Sequence, residues 1–366
     1  MTLAPAAHAA EDLADFLGGA KAGPVQVRPL PEGSRVLLAP KAKVWNPVWH
    51  TDGRTIACLA NHGGDAVWLV DVQTGAAQRI TRDPAPKSSL GLLAGDRWLY
   101  VSGTGSARTV HLLAADGSRD EELAVGWNAA PSADGQAIAF DTPLGPQVAR
   151  LDARPLQPRR LPLPELKTVG DAFPRFVTIH PRTVTAPSGS PAGPNGRQVP
   201  GPAPATEAVV FAQEGHVYLV HLPDGKLERI AERNMQDLAY FVFGIPSPDG
   251  AAVALFSTNA AALSKPASTC VVSLAGDRRP REVSLGKVQQ WLDSDTLLLL
   301  QNGQLCTTRA VPGAQATLQA ARTTGGSVSP DGKRLAFEFA FQDTNGDGQV
   351  DWRDGTSLLL KDLLRP

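Results

Sequence analysis

No apolar run in the 366-residue sequence approaches the ~20 residues that a membrane helix needs. The best stretch, residues 238–245, is far too short, so the mature chain reads as soluble and without a membrane span. Charge excess of either sign is also lacking. Lys plus Arg number 35 and Asp plus Glu 36, for a net charge of −1. That balance argues against a general nucleic-acid binder and gives no steering toward anionic membranes. Cysteine is scarce. Cys58, Cys270 and Cys306 are widely spaced and odd in number, with no CxxC, so neither a zinc site nor a thioredoxin-like site is indicated. Each lies in an apolar, strand-like run and reads as a small buried hydrophobe. Cys270 and Cys306 can pair only if their strands are neighbours. A Gly-x-Ser-x-Gly nucleophile elbow is missing, as is a Ser-x-Asp-x-Gly-x-Thr-Trp box.

What the chain has in quantity is chain-breaking residues, 35 Gly and 31 Pro, which favour short strands joined by turns over long helices. An internal repeat organises them. Pro47-Val-Trp-His-Thr-Asp-Gly53 precedes Arg-Thr-Ile-Ala-Cys-Leu-Ala. Pro131-Ser-Ala-Asp-Gly135 precedes Gln-Ala-Ile-Ala-Phe. Pro246-Ser-Pro-Asp-Gly250 precedes Ala-Ala-Val-Ala-Leu-Phe. Val328-Ser-Pro-Asp-Gly332 precedes Lys-Arg-Leu-Ala-Phe. Asp52 and Asp134 are 82 residues apart, as are Asp249 and Asp331, so a worn copy of a 41-residue unit belongs in each gap. Leu93-Ala-Gly-Asp96 with Arg-Trp-Leu-Tyr-Val fits the first, and Trp291-Leu-Asp-Ser-Asp295 with its Leu run fits the second. A seventh copy lies between, with strands at residues 173–180 and 208–212.

Asp-Gly is a turn signal, and the apolar run behind it is a buried strand. A third strand follows (residues 66–71 or 216–221), then a second Gly turn, then a polar outer strand (77–81 or 226–230). Four short antiparallel strands per unit make one propeller blade, which must stack on others around an axis to bury both faces.

The Pro-x-x-Asp-Gly-x-x-Ile/Leu-Ala-Phe repeat resembles the TolB-like (PD40, WD40-like) β-propeller family, over residues from about 45 to 366. The resemblance implies an all-β, seven-bladed β-propeller, with blades beginning near residues 46, 87, 127, 166, 235, 287 and 325. The last blade has only three strands of its own. The spare strand Ser34-Arg-Val-Leu-Leu38 is expected to supply its fourth and so remove two open edges. TolB carries an N-terminal α/β domain, for which residues 1–44 are too few, so TolB's own role is not carried over. Residues 1–23 are expected to be a leader: Ala7-His8-Ala9 has the small-x-small look of a signal-peptidase site, and residues 11–18 suit a short amphipathic helix. Residues 24–366 are the propeller. Two insertions interrupt its period, a Pro/Gly/Ser-rich loop at 182–205 between the first two strands of blade four, and a smaller one at 257–268 in blade five.

The motif richest in chemistry is Asp343-Thr-Asn345-Gly-Asp347-Gly-Gln349-Val350-Asp351-Trp-Arg-Asp354. Oxygen side chains fall at positions 1, 3, 5, 9 and 12, with Gly at 6 and an apolar residue at 8. It resembles the calcium loop of EF-hands and dockerins. Asp343, Asn345, Asp347, Asp351 and Asp354 are the expected side-chain ligands of a Ca2+ ion, and Gln349 offers its backbone carbonyl. Asp354 stands where EF-hands carry Glu, and dockerin-type loops use Asp there. EF helices are not expected around it; the loop reads as grafted between the second and third strands of the last blade. A calcium-dependent loop suits a periplasmic or secreted protein.

No catalytic or organic-cofactor residue stands out. PD40-type oligogalacturonate lyases place several His around a channel metal, whereas His50, His180, His216 and His221 read here as ordinary strand residues. Trp45, Trp49, Trp68, Trp98 and Trp291 read as blade packing. The expected function is a non-catalytic, calcium-stabilised interaction platform with an envelope or secreted protein partner. The rival reading is a propeller enzyme, a lyase or hydrolase acting on saccharide or lactone in the central channel. A channel mouth lined by several His, Asp or Glu would favour the rival.

Overall fold

The computed structural model describes residues 28–39, 43–61, 63–153, 155–163, 171–180, 205–233, 239–259, 267–344, 350 and 354–364. They form seven four-stranded antiparallel sheets, the blades of a closed propeller. Blade 1 comprises Lys43–Trp49, Thr55–Asn61, Asp65–Asp71 and Ala77–Arg79, innermost strand first. Blade 2 starts at Lys87–Leu93, blade 3 at Trp127–Pro131, blade 4 at Arg175–Ile179, blade 5 at Ala239–Pro246 and blade 6 at Lys287–Trp291. Blade 7 comprises Thr323–Val328, Arg334–Phe339, Ser357–Asp362 and, as its outer strand, Arg35–Leu38. That last pairing sets Arg35 opposite Leu360 and Val36 opposite Leu359. The spare N-terminal strand therefore closes the ring as expected. Each innermost strand touches those of its two neighbours, the seventh returning to the first.

The core follows from this stacking. Side chains alternate along a strand, so a strand buried on both faces reads as a continuous apolar run. In blade 1, Ile56, Cys58 and Ala60 face blade 7, while Ala57 and Leu59 face blade 2. Seven apolar clusters result, one at each blade interface. All three cysteines are free, with Cys58 and Cys306 buried. Cys270 and Cys306 lie in the third strands of different blades, so the neighbouring-strand condition for pairing is not met.

The Asp-Gly turns show why the repeat carries its serine. In blade 3 the Ser132 hydroxyl donates to Asp134 (2.6 Å), which accepts Gln136 N–H (2.9 Å), while Ser132 Oγ accepts Ala137 N–H (2.9 Å). Ser247 with Asp249 and Ser329 with Asp331 repeat the arrangement. The serine hydroxyls, followed by backbone N–H groups, hold Asp134 and Asp331 below the usual carboxylate pKa. Gly250 of the blade-5 turn has φ +66°, and a Cβ there would sit 1.7 Å from Thr178 O of blade 4. Gly250→Ala is expected to cost about 2 kcal/mol or more, from left-handed strain and the backbone clash. Urea unfolding read at constant m-value checks it.

The two conspicuous tryptophans brace neighbouring blades. Trp49 Nε1 donates to Ser327 O of blade 7 (3.1 Å), and Trp291 Nε1 to Ile245 O of blade 5 (2.8 Å). The blade-five insertion is shorter than 257–268, because strand Ala252–Asn259 and strand Ser268–Ser273 take its ends. The second strand of blade 7 ends at Phe339, ahead of the acidic loop. The leader 1–23 with its helix, insertion residues 182–204, residues 260–266, and the expected blade starts at 166 and 235 lie outside the described residues. Among those residues no helix is long and apolar enough to cross a membrane.

Candidate functional site: the central channel and the acidic loop

Each innermost strand runs from an upper face, where its blade begins, to a lower face, where it ends in the turn just described. Blades 1, 2, 6 and 7 enclose a channel cavity of about 570 Å³ whose walls include Trp45, Asn46, Trp49, Lys287, Gln289 and Glu338. A second cavity of about 630 Å³ shares Trp45, Thr324 and Glu338 with it and adds Lys43, Asn61 and Asp65. The size suits a small ligand or a partner's side chains.

Glu338 is the channel's buried acid, 6 % exposed. Its Oε1 accepts Asn46 N–H from blade 1 (2.7 Å), and Oε2 accepts the Thr324 hydroxyl. Asn46 has φ +54°, at a bulge where the register of its strand shifts. The carboxylate thus satisfies an amide that the bulge removes from the sheet ladder. Burial pushes the Glu338 pKa up, against these hydrogen bonds and the attraction of Lys43 and Lys287.

A counterpart lies between blades 3 and 4. Asp141, 1 % exposed, accepts at Oδ2 from Asn128 Nδ2 (2.9 Å), Ala172 N–H (3.0 Å) and Phe173 N–H (3.0 Å). Phe173, like Asn46, has positive φ, +49°. Oδ1 of Asp141 is buried and has no hydrogen-bond partner. Burial raises the Asp141 pKa to about 6, opposed by those three hydrogen bonds. The Arg175 guanidinium interacts with it electrostatically and donates to Asn128 O (3.2 Å) and Pro174 O (2.8 Å). Glu338 and Asp141 occupy one repeat position, the seventh residue after the turn aspartate; the other clear copies have Leu59 and Phe256 there. The sequence reading missed both acids. The available signal was a carboxylate closing an otherwise apolar strand.

The histidines do not converge. His50 bridges Asp52 (3.1 Å) and Asp96 (2.9 Å), tying blade 1 to blade 2. His111 lies between Thr109 (2.8 Å) and Asp120 (3.1 Å), and Asp120 also accepts the Tyr100 hydroxyl (2.6 Å). His216 Nδ1 accepts Arg233 N–H (3.2 Å), and His221 is 3.7 Å from Glu228. Among the described residues no group of three or more His, Cys, Asp or Glu is arranged to hold a metal.

The acidic loop rises between the second and third strands of blade 7. Of its expected ligands, Asp343 and Asp354 are described; Asn345, Asp347, Gln349 and Asp351 lie outside the described residues. Asp354 is 1 % exposed and accepts Thr344 N–H (2.8 Å) and the Thr344 hydroxyl (3.3 Å). Val350, the apolar eighth position, is buried. The loop's stems are fastened to the ring closure. Arg28 N–H donates to Phe341 O (2.8 Å), and Val44 N–H of blade 1 donates to Thr356 O (3.0 Å), while the Thr356 hydroxyl donates to Val44 O.

No protein-family model and no curated protein sequence matches the chain. Solved structures do, at the level of fold. An oligogalacturonate lyase from Vibrio parahaemolyticus matches with a TM-score of 0.59 at 10 % identity, covering 94 % of this chain and 99 % of that one. U3-55K matches with a TM-score of 0.59 at 10 % identity, covering 92 % and 100 %. TolB from Acinetobacter baumannii matches with a TM-score of 0.44 at 11 % identity over 78 % of this chain, which spans 56 % of the length of that TolB.

Proposed function

We propose that the protein is a non-catalytic propeller that acts as a protein-interaction platform in the periplasm or secreted space, with its ring closure stabilised by calcium in the 343–354 loop. The two propellers of equal similarity are a lyase and U3-55K, so fold does not select a chemistry and the site has to. The observation that carries the reading is how the channel acids are used. Both oxygens of Glu338 accept hydrogen bonds, and Asp141 Oδ2 takes three donors, two of them across a blade interface. Glu338 and Asp141 therefore serve as staples rather than as a free acid–base pair. What remains on the channel wall is tryptophan, amide and lysine, chemistry suited to recognition.

The calcium loop fits this picture through its donors. Asp343, Asn345, Asp347, Asp351 and Asp354 with the Gln349 carbonyl supply the hard oxygens that calcium takes. Val350 and Asp354 are both buried, which gives the C-terminal half of the loop an anchor.

The test is affinity capture from envelope and culture-medium fractions with wild type, Trp45→Ala and Arg279→Ala, the last on the exposed rim. A specific partner retained by wild type and Arg279→Ala, and reduced about tenfold or more by Trp45→Ala, is the expected outcome. Turnover of a uronate oligomer or a lactone by wild type, abolished in Glu338→Gln, would overturn it in favour of the enzyme.

A further inference from the structure

Lys287 and Lys43 begin the innermost strands of blades 6 and 1, on either side of blade 7. Between them blade 7 presents Thr324, Gly325 and Gly326. Gly325 lets this strand approach Glu338 closely: a Cβ there would lie 3.0 Å from Glu338 Oε1 and 3.6 Å from Gln289 Oε1, and the cavity described above begins beside it. Gly325 and Lys287 line the 570 Å³ cavity and Lys43 the adjoining 630 Å³ one, with Trp45, Thr324 and Glu338 on the walls of both.

The charges facing these cavities are unevenly committed. Asp65 accepts Asn61 Nδ2 (2.7 Å) and Lys87 N–H (3.3 Å), and Glu338 is held as described. Among the described residues, neither Lys287 nor Lys43 has an ion-pair partner within 4.0 Å. The Lys287 ammonium instead lies 5.5 Å from the centre of the Phe243 ring. Lys287 is exposed at the cavity mouth, and the protein packed around it still lowers its pKa by desolvation, with attraction from Glu338 only partly offsetting this. An ammonium so placed gains from an anion that enters the cavity and replaces lost hydration.

We propose that the 570 Å³ cavity binds a carboxylate carried on an apolar or aromatic body, with Lys287 taking the carboxylate, Trp45 the body, and Lys43 adding positive charge from the adjoining cavity. The Gln289 amide adds a polar neighbour that suits a planar, hydrogen-bonding head. The carboxylate has two sources, a free organic acid or the terminus of a docked polypeptide, and the same groups recognise either. The inference stands without the platform reading, because it concerns what fills the hub and not what covers the face.

Lysine acetylation rates, resolved residue by residue by mass spectrometry on wild-type protein, test it. Benzoate is compared with benzamide, and a pentapeptide with a free C-terminal carboxylate with its C-terminal amide. Lys333, exposed like Lys287 but on the wall of neither cavity, is the internal control. At three times the dissociation constant, occupancy should slow acetylation of Lys287 about fourfold. Lys333 should be unchanged, and neither amide should protect. Protection by benzoate assigns the cavity to free acids; protection by the free-carboxylate peptide alone assigns it to a docked terminus. Lys287→Met should also remove any change in tryptophan fluorescence caused by benzoate. Unaltered Lys287 rates with both carboxylates, or equal protection by the amides, would overturn the proposal. A captured partner displaced by Trp45→Ala would still leave the platform reading standing.

Discussion

Replacing Asp141 with alanine is expected to lower unfolding free energy by about 3–5 kcal/mol, the usual cost of removing one partner from a buried charged network. The loss has identifiable parts. Ala172 N–H, Phe173 N–H and Asn128 Nδ2 all lose their acceptor, and the Arg175 guanidinium loses its nearest counter-charge. Each buried donor left without a partner costs about 1–3 kcal/mol. Asp141→Asn should be far milder. The amide oxygen can occupy the site where three donors converge, leaving its NH2 at the position of the orphaned Oδ1.

The same pair of proteins isolates a pH effect. The folded Asp141 pKa is raised from 3.8 to about 6, so the native state holds this proton more tightly than the unfolded chain does. Stabilisation from the bound proton is fully present below pH ~4 and is lost as pH rises through about 6. The two-unit difference corresponds to about 3 kcal/mol for this fully buried group. Aspartates at the turns, with lowered pKa values, act in the opposite direction on acidification. The readout is therefore the difference between wild type and Asp141→Asn in urea unfolding at pH 7 and pH 5. Wild type should gain relative to the variant as pH falls; an unchanged difference would show that Asp141 does not titrate in this window.

The ring was legible because its repeat joins two local signals, the Asp-Gly turn and the doubly buried strand, at a spacing of 82 residues both from Asp52 to Asp134 and from Asp249 to Asp331. The closing strand was legible for a related reason: the apolar Arg35–Leu38 segment precedes the first repeat and belongs to no blade of its own, and it pairs with Ser357–Asp362. The staples were not legible. A pattern of apolar residues identifies a buried strand but does not show that its penultimate position meets backbone amides of the next blade. The amide of Asn46, at a bulge, and that of Phe173, just before the innermost strand of blade 4, find their carboxylates only when neighbouring blades are in place. The histidines show the reverse limit. His216 and His221 stand at the two ends of one strand, and His50 is held between Asp96 of blade 2 and Asp52, which was read only as a turn former.

Calcium removal is expected to produce the other large change. Binding to the native state alone stabilises by RT ln(1 + [L]/Kd), about 4 kcal/mol when free calcium exceeds Kd a thousandfold. Its effect should not stay local. The stems of the 343–354 loop hold Arg28 through Phe341 and Val44 through Thr356, and the third strand of blade 7 pairs with the closing strand Arg35–Leu38. Ordering the loop therefore favours the contacts that keep blade 7 against blade 1. A propeller is a ring, and opening one interface exposes two blade faces, so loosening this closure should promote cooperative unfolding rather than fraying at one end. EDTA should lower the melting temperature by on the order of 5–10 °C, and native mass spectrometry should find one calcium per chain. Asp347→Ala should melt like the chelated wild type and ignore both calcium and EDTA. Identical melts of wild type in calcium and EDTA, with no calcium retained, would remove the ion from the fold's stability and leave the closure to the strand pairing alone.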